Sequence, residues 1–299
     1  MKKCLLLLLM VLVLSVAATA YADKGLSSAY PAESVETACA ERLADLLDLP
    51  LLPVPDEDPG NAANLMLADP ECVLAGSQDV LIAGLQGYTD EDLREAMAPV
   101  CSLAVSPLFL VMDRDIAAEM GISDFDSLLD YTASHEYDLT FARHISADPV
   151  DLAVTRLADE IAVLTDYYLE EEIPDILHSG EAAAGVFSGA DLAAAEEDWL
   201  VLCCLSAERC PLYADVPSAA EAGLTPCDGQ FLCLFMSAEA SDEAVAAVAE
   251  AAASLQAEDL PAGYLPCYAS GDAFSETVRK LFADYKEYMT SEGLFFYEE

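Results

Sequence analysis

The chain has 299 residues, with 55 Asp and Glu against 12 Lys and Arg, a formal net charge of −43. So acidic a field excludes nucleic acid as a natural partner, because that binding depends on cations that neutralise phosphates. A hydrophobic content of 55% excludes a disordered chain, and the length fits two units of about 150 residues each.

The first residues read as an export signal. Lys2 and Lys3 form a short positive region, Leu5 to Val16 an apolar stretch, and Ala20-Tyr21-Ala22 a small-residue cleavage pattern. The stretch is too short for a membrane span of about 20 residues. Cys4 precedes it rather than ending it, which argues against a lipid anchor. The expectation is a periplasmic, soluble protein processed after Ala22.

Beyond the leader, helical and strand patterns alternate, the signature of an α/β architecture. Glu36 to Leu49 reads as a helix with Ala40, Leu43 and Leu47 on its apolar face. Leu51 to Val54 is a short strand, Asn61 to Ala68 a short helix, and Cys72 to Ala75 a buried strand ending at Gly76-Ser77-Gln78. Asp90 to Met97 reads as helical, and Val100 to Met112 as a pair of strands crossing between two lobes. In the second lobe Ser123 to Ser134 is a helix with Ser123 as its cap. Leu139 to Ala142 is a strand, Pro149 to Asp159 a helix opened by its proline, and Ile161 to Thr165 a strand. Glu172 to His178 follows as a helix, with strands at Ala182 to Phe187 and Trp199 to Ser206. The return brings the strand Phe231 to Met236, an alanine-rich helix from Asp242 to Gln256, and two terminal helices, Phe274 to Tyr288 being the clearer.

The ten cysteines include Cys4 in the leader, so an odd number remains: Cys39, Cys72, Cys101, Cys203, Cys204, Cys210, Cys227, Cys233 and Cys267. An exported chain permits disulfides, but several of these residues sit in apolar strands, where a buried free thiol is the commoner fate. At most a minority are expected to pair, with Cys227 and Cys267 the favoured couple. There is no C-x-x-C pair and the histidines lie far from the cysteines, so no metal site is expected. No G-x-S-x-G elbow, H-E-x-x-H or phosphate-binding loop occurs, and the chain is not read as an enzyme.

The segment from Pro211 to Leu224, PLYADVPSAAEAGL, resembles the "P-x-L-P-D-V-P-T-x-x-E-A-G" stretch of the tripartite tricarboxylate transporter substrate-receptor family, with Arg209 just before it. In order along the chain, Asp69 to Ser77, Pro99 to Asp113 and Leu234 to Ala247 are similar to further segments of that family. The resemblance implies a periplasmic-binding-protein fold of type II, two lobes joined by crossing strands. Lobe 1 would take residues 23–110 and 225–299, and lobe 2 residues 111–224. It also implies a receptor with no cofactor that closes on a small organic acid or amino acid and hands it to the membrane subunits of a tripartite transporter. Ligand carboxylates are held in that family at strand ends, which places Ser77, Gln78, Arg143, His144, Ser146 and Ser188 in the expected site. Arg143 is the expected anchor, since a guanidinium clamps a carboxylate with two parallel hydrogen bonds.

Two features depart from the family pattern. Tyr30-Pro31 runs straight into the first helix, so the first strand and its loop look missing; either Leu51 to Val54 shifts inward or the amino-terminal segment fills the gap. The tract from Asp166 to Glu172 is acidic where the family has a Tyr-Lys-Gly region. The alternative reading is therefore a receptor-derived orphan that keeps the fold but serves as a sensory or structural interaction protein.

Overall fold

Pro107 has no N–H to give to a ladder, and it splits the long apolar run into two strands, Met97–Ser106 and Leu108–Met112, that enter different sheets. The computed structural model describes residues 25–31, 34–55, 58–145, 147–195 and 199–294, so the leader with its cleavage pattern, and Ser146, lie outside the described residues. The first elements are β1 (Leu26–Ser28), α1 (Val35–Leu47), β2 (Leu51–Leu52), α2 (Pro59–Ala68), β3 (Val73–Gly76), α3 (Gln78–Leu85), α4 (Leu93–Ala96) and β4 (Met97–Ser106). Across Pro107 come β5 (Leu108–Met112), α5 (Arg114–Met120), α6 (Phe125–Ser134), β6 (Thr140–His144), α7 (Pro149–Ile161) and β7 (Leu164–Tyr168). They are followed by α8 (Ile173–Ser179), β8 (Gly185–Ser188), α9 (Gly189–Ala194), β9 (Leu200–Cys204) and α10 (Ala219–Ala222). The chain then returns through β10 (Gln230–Ser237), α11 (Asp242–Ala253), β11 (Leu265–Ser270) and α12 (Gly271–Glu292).

The first lobe is built on a six-stranded sheet in the order β11-β4-β10-β3-β1-β2. The second has a three-stranded sheet, β8-β5-β9, and a parallel pair, β6-β7, linked to it by a bridge from Phe141 to Ala184. Both faces of the large sheet are buried. On β10, Leu232, Leu234 and Met236 face α1 and α11, while Cys233 and Phe235 face α2, α3 and α12. The same alternation on β3 sends Val73 and Ala75 one way and Leu74 the other, as the two-residue period of a strand requires. The core of the second lobe gathers Leu108, Leu110, Phe141, Val154, Leu157 and Leu202 between β5, β6, β9 and α7.

The first strand is present. Leu26–Ser28 lies parallel between β3 and β2, so the amino-terminal segment fills the gap, one place in from the edge, and Leu51–Leu52 remains the edge strand. Its register pairs Leu26 with Val73 and Ser28 with Ala75, and the backbone there is fully laddered.

Elsewhere the elements differ from expectation for local reasons. The helix before the crossing is only Leu93–Ala96, because Met97 is already in β4. The helix α3, not foreseen, starts on the Ser77 cap. In α6 the cap is Asp124, whose side chain accepts from the Ser127 N–H, rather than Ser123. Ile161 ends α7 and does not begin a strand; the left-handed turn at Ala162 separates it from β7. The chain expected to form a first terminal helix instead pairs as β11 with β4, leaving one long helix, α12.

The nine cysteines among the described residues are all free, so the favoured Cys227–Cys267 pair does not form. Cys227 packs against the core of the second lobe, whereas Cys267 sits on β11 of the first. Burial pushes the Cys101 and Cys203 thiols up to about 12 and that of Cys39 to about 11; such thiols are poor nucleophiles because the thiolate is the reactive form. Thiol titration of the exported protein is expected to count nine groups after denaturation. In the native state no more than two, the half-buried Cys227 and Cys267, should react promptly.

Candidate functional site

Open α/β sheets place ligand sites beyond the carboxyl ends of their strands. Here the ends of β1, β3, β6, β7 and β8 converge on a cleft of about 550 Å³ between the lobes. The first lobe supplies Tyr30 after β1 and Asp79 after β3; the second supplies His144, Asp148, Glu170, Ser188 and Asp191.

Two of the expected site residues line this cleft. His144 is the last residue of β6, and its Nδ1 lies 2.5 Å from Asp148 Oδ2. Burial alone would favour the neutral ring, but that hydrogen bond and the charge of Asp148 outweigh it and raise the imidazole pKa. Ser188 ends β8 and caps α9, accepting from the Asp191 N–H at 3.1 Å while its own N–H donates to Asp191 Oδ2 at 2.8 Å.

Two others stand behind the lining. Ser77 caps α3 and donates its hydroxyl to Asp79 Oδ2 at 2.5 Å. Gln78 is buried and fixes α3 against β10: its Nε2 donates to the Gly229 carbonyl at 2.6 Å and its Oε1 accepts from the Phe231 N–H at 2.8 Å. Both hold Asp79 in place rather than face a ligand.

The expected role of Arg143 as carboxylate anchor is corrected by its surroundings. It is 5% exposed and lies outside the cleft lining. Nε donates to Asp151 Oδ1 at 2.7 Å, Nη2 to Asp151 Oδ2 at 3.2 Å and to the Tyr288 hydroxyl at 3.0 Å, and Nη1 to Glu292 at 3.2 Å. The Tyr167 ring covers the guanidinium at 4.5 Å. A residue in this position ties β6 and α7 of the second lobe to α12 of the first, and its donors already serve the chain's own carboxylates.

Residues not singled out in the sequence complete the cleft: Tyr30, Glu36, Asp79, Glu170 and Asp191. Several stand in the first turn of a helix, which is a readable position, but 55 acids give no basis for ranking them. The electrostatics do. Burial pushes Asp79 up to about 6, against the hydrogen bond from Ser77, with Asp148 and Glu170 adding repulsion and His144 easing it. Glu170 is likewise raised by burial, partly offset by His144.

No family model matches the chain, and no curated relative does. Solved structures match along nearly its whole length. A TctC solute binding protein from Polaromonas is 17% identical, with a TM-score of 0.69 over 89% of this chain and 97% of that one. The MatC protein of Rhodopseudomonas palustris, with bound malate, is 16% identical at a TM-score of 0.65, covering 89% and 98%. A further R. palustris protein, with adipate, is 14% identical at 0.68, covering 91% and 97%. The chain therefore has the two-lobed periplasmic-binding-protein fold.

Two outcomes follow from this geometry. Removing one member of a buried ion pair costs about 3–5 kcal/mol, so Arg143→Ala should lower the melting temperature by roughly 6–20 °C, measured by calorimetry. Asp79→Asn should act in the opposite direction. As pH rises through about 6 the folded protein must ionise a carboxyl that burial disfavours, whereas the unfolded chain ionises it near 3.8. The folded state loses stability across that window and the variant does not. Its melting temperature should exceed that of wild type by about 2–8 °C at pH 8 and match it below pH ~4.

Proposed function

We propose that this chain is an extracytoplasmic receptor that captures a small organic acid or amino acid between its lobes and delivers it to the membrane subunits of a tripartite tricarboxylate-type transporter. The observation that carries this reading is the cleft itself: five strand ends from both lobes meet at an open volume of about 550 Å³, a size suited to one small solute. The fold is that of a TctC solute binding protein and of proteins seen with malate and adipate. Lobe boundaries at residues 23–110 and 225–299 for one half and 111–224 for the other belong to the same proposal, with closure about the strands that cross at Pro107. The role is that of a carrier without catalysis, exported and processed after Ala22.

The orphan alternative drew its motive from a missing first strand and loop and from the acidic tract Asp166 to Glu172. β1 with its Ala29–Pro31 loop occupies the first place, and the acidic tract brings Glu170 to the cleft. The reading is tested by a thermal-shift screen of the processed protein against organic acids and amino acids. A true ligand at 100 times its Kd stabilises by about 2.7 kcal/mol, which should appear as a rise of several degrees. A flat response across the whole panel would defeat the receptor reading in favour of the orphan.

A further inference from the structure

The cleft is built to repel dicarboxylates. Its lining carries six acids, Glu36, Asp58, Asp79, Asp148, Glu170 and Asp191, and neither Lys nor Arg. Their placement matters as much as their number. Anionic ligands of α/β folds are held at helix N-termini, where unpaired N–H groups point at the ligand. Around this cleft the chain's own side chains already take one of those groups at each of four helix starts. Asp58 accepts from the Asn61 N–H at the start of α2, Ser77 from Asp79 at the start of α3, Asp148 from Asp151 at the start of α7, and Ser188 from Asp191 at the start of α9. An incoming carboxylate would meet both the occupied donors and the negative charge.

A second pocket of about 480 Å³ adjoins the cleft and shares His144, Glu170 and Asp191 with it. Trp199 lines this extension, packed edge-on against Phe187. Its ring is only 6% exposed, and its indole Nε1 has no hydrogen-bond partner. A buried N–H without an acceptor costs stability, and Glu170, which lines the same pocket, makes no hydrogen bond through its carboxylate among the described residues. No group of His, Cys, Asp or Glu among the described residues is arranged to hold a metal ion, so a bare divalent cation does not meet this chemistry.

We infer that the solute is a small organic cation, an ammonium or guanidinium compound with an acceptor atom nearby, as in a basic amino acid, bound at Glu170 and Asp191 with Trp199 beside it. The cation would neutralise the converging carboxylates, an acceptor atom would take the indole N–H, and tryptophan is the ring that best attracts a cation. This inference rests on the receptor reading above and names the charge class of its ligand.

The test is titration calorimetry of the processed protein with three sets of compounds: malate and adipate; neutral amino acids; and lysine, arginine and ornithine. Emission of Trp199, the chain's single tryptophan, provides a second readout. The basic set is expected to bind and to change the emission. A charge-assisted hydrogen bond contributes roughly 1.5–3 kcal/mol, so Glu170→Gln and Asp191→Asn should each weaken binding on the order of 10- to 100-fold. Asp191→Asn keeps one side-chain oxygen that can accept from the Ser188 N–H at the start of α9, and both variants should melt like wild type. Binding of malate or adipate without the basic set would overturn the inference and leave the receptor reading standing. Basic solutes that bind equally well to both variants would remove these acids from the site and overturn it too. No binding by any set would overturn the receptor reading and this inference together.

Discussion

Strands β4 and β5 are one run of backbone broken only at Pro107, and both lobes hang on that crossing. The chain is unusually crowded there. A Cβ on Gly189 would stand 2.5 Å from the Gly263 carbonyl oxygen, one on Gly263 would stand 2.1 Å from that of Gly189, and one on Gly229 would stand 2.4 Å from that of Ser106. Only glycine lets backbone lie on backbone so closely, and Gly263 also has a positive φ of 80°. The Ser106 hydroxyl closes the junction, accepting from the Ala190 N–H at 2.9 Å and donating to the Gly263 carbonyl at 3.3 Å. Because Ala190 belongs to α9 and Gly263 to the approach to β11, the polar contacts at the crossing also fix one wall of the cleft.

A second tie lies on the far side of His144. Arg143 reaches from β6 to Tyr288 and Glu292 on α12, and Asp151 on α7 is bonded to both Arg143 and the Tyr288 hydroxyl. Apolar contacts support it, since Ala147 and Leu152 pack with Phe282, Tyr285 and Tyr288. Two adjacent residues of one strand therefore do different work. The side chain of Arg143 points to the tie between lobes, and that of His144 lines the cleft, as alternation along a strand dictates. Any movement of the lobes relative to each other has to carry β6 with it, and so carries His144 and Asp148.

The strands and helices of both lobes were legible because their patterns are strong: continuous apolar runs in β3, β5 and β10, helical spacing in α1, and a proline at the start of α7. Short elements were not. Leu26–Ser28 is three residues long, follows a leader, and gains its place from pairing with β3, a contact remote in sequence. β11 is likewise decided by its partner β4. At the cleft, the strand-end rule pointed to His144 and Ser188, which line it, and to Arg143, which does not. The guanidinium suited to a ligand carboxylate is bonded instead to the carboxylate of Asp151. In a chain so rich in acids, a lone guanidinium is the natural partner of a buried carboxylate, and Asp151 is eight residues away on the next helix. Asp79, Glu170 and Asp191 could not be told from the other acids until the fold brought them to one cleft.

That convergence has a physical cost. Burying Asp79 near Asp148 and Glu170 raises its pKa into the range where it competes with neutrality, and like charges in a confined space destabilise the empty protein. Asp148 caps α7 and Asp191 closes the cap of α9, so part of that cost serves the fold. Ser77 nonetheless holds Asp79 with a hydrogen bond of 2.5 Å, Gln78 fixes the start of α3 to Gly229 and Phe231, and Ser188 fixes Asp191 through a reciprocal cap. Side chains held this firmly in an unfavourable field are pre-organised, and repulsion among them is relieved by any solute that brings positive charge. The same arrangement that weakens the unliganded protein would then strengthen closure around its ligand, since the free energy lost in gathering the acids is returned only when the cleft is filled.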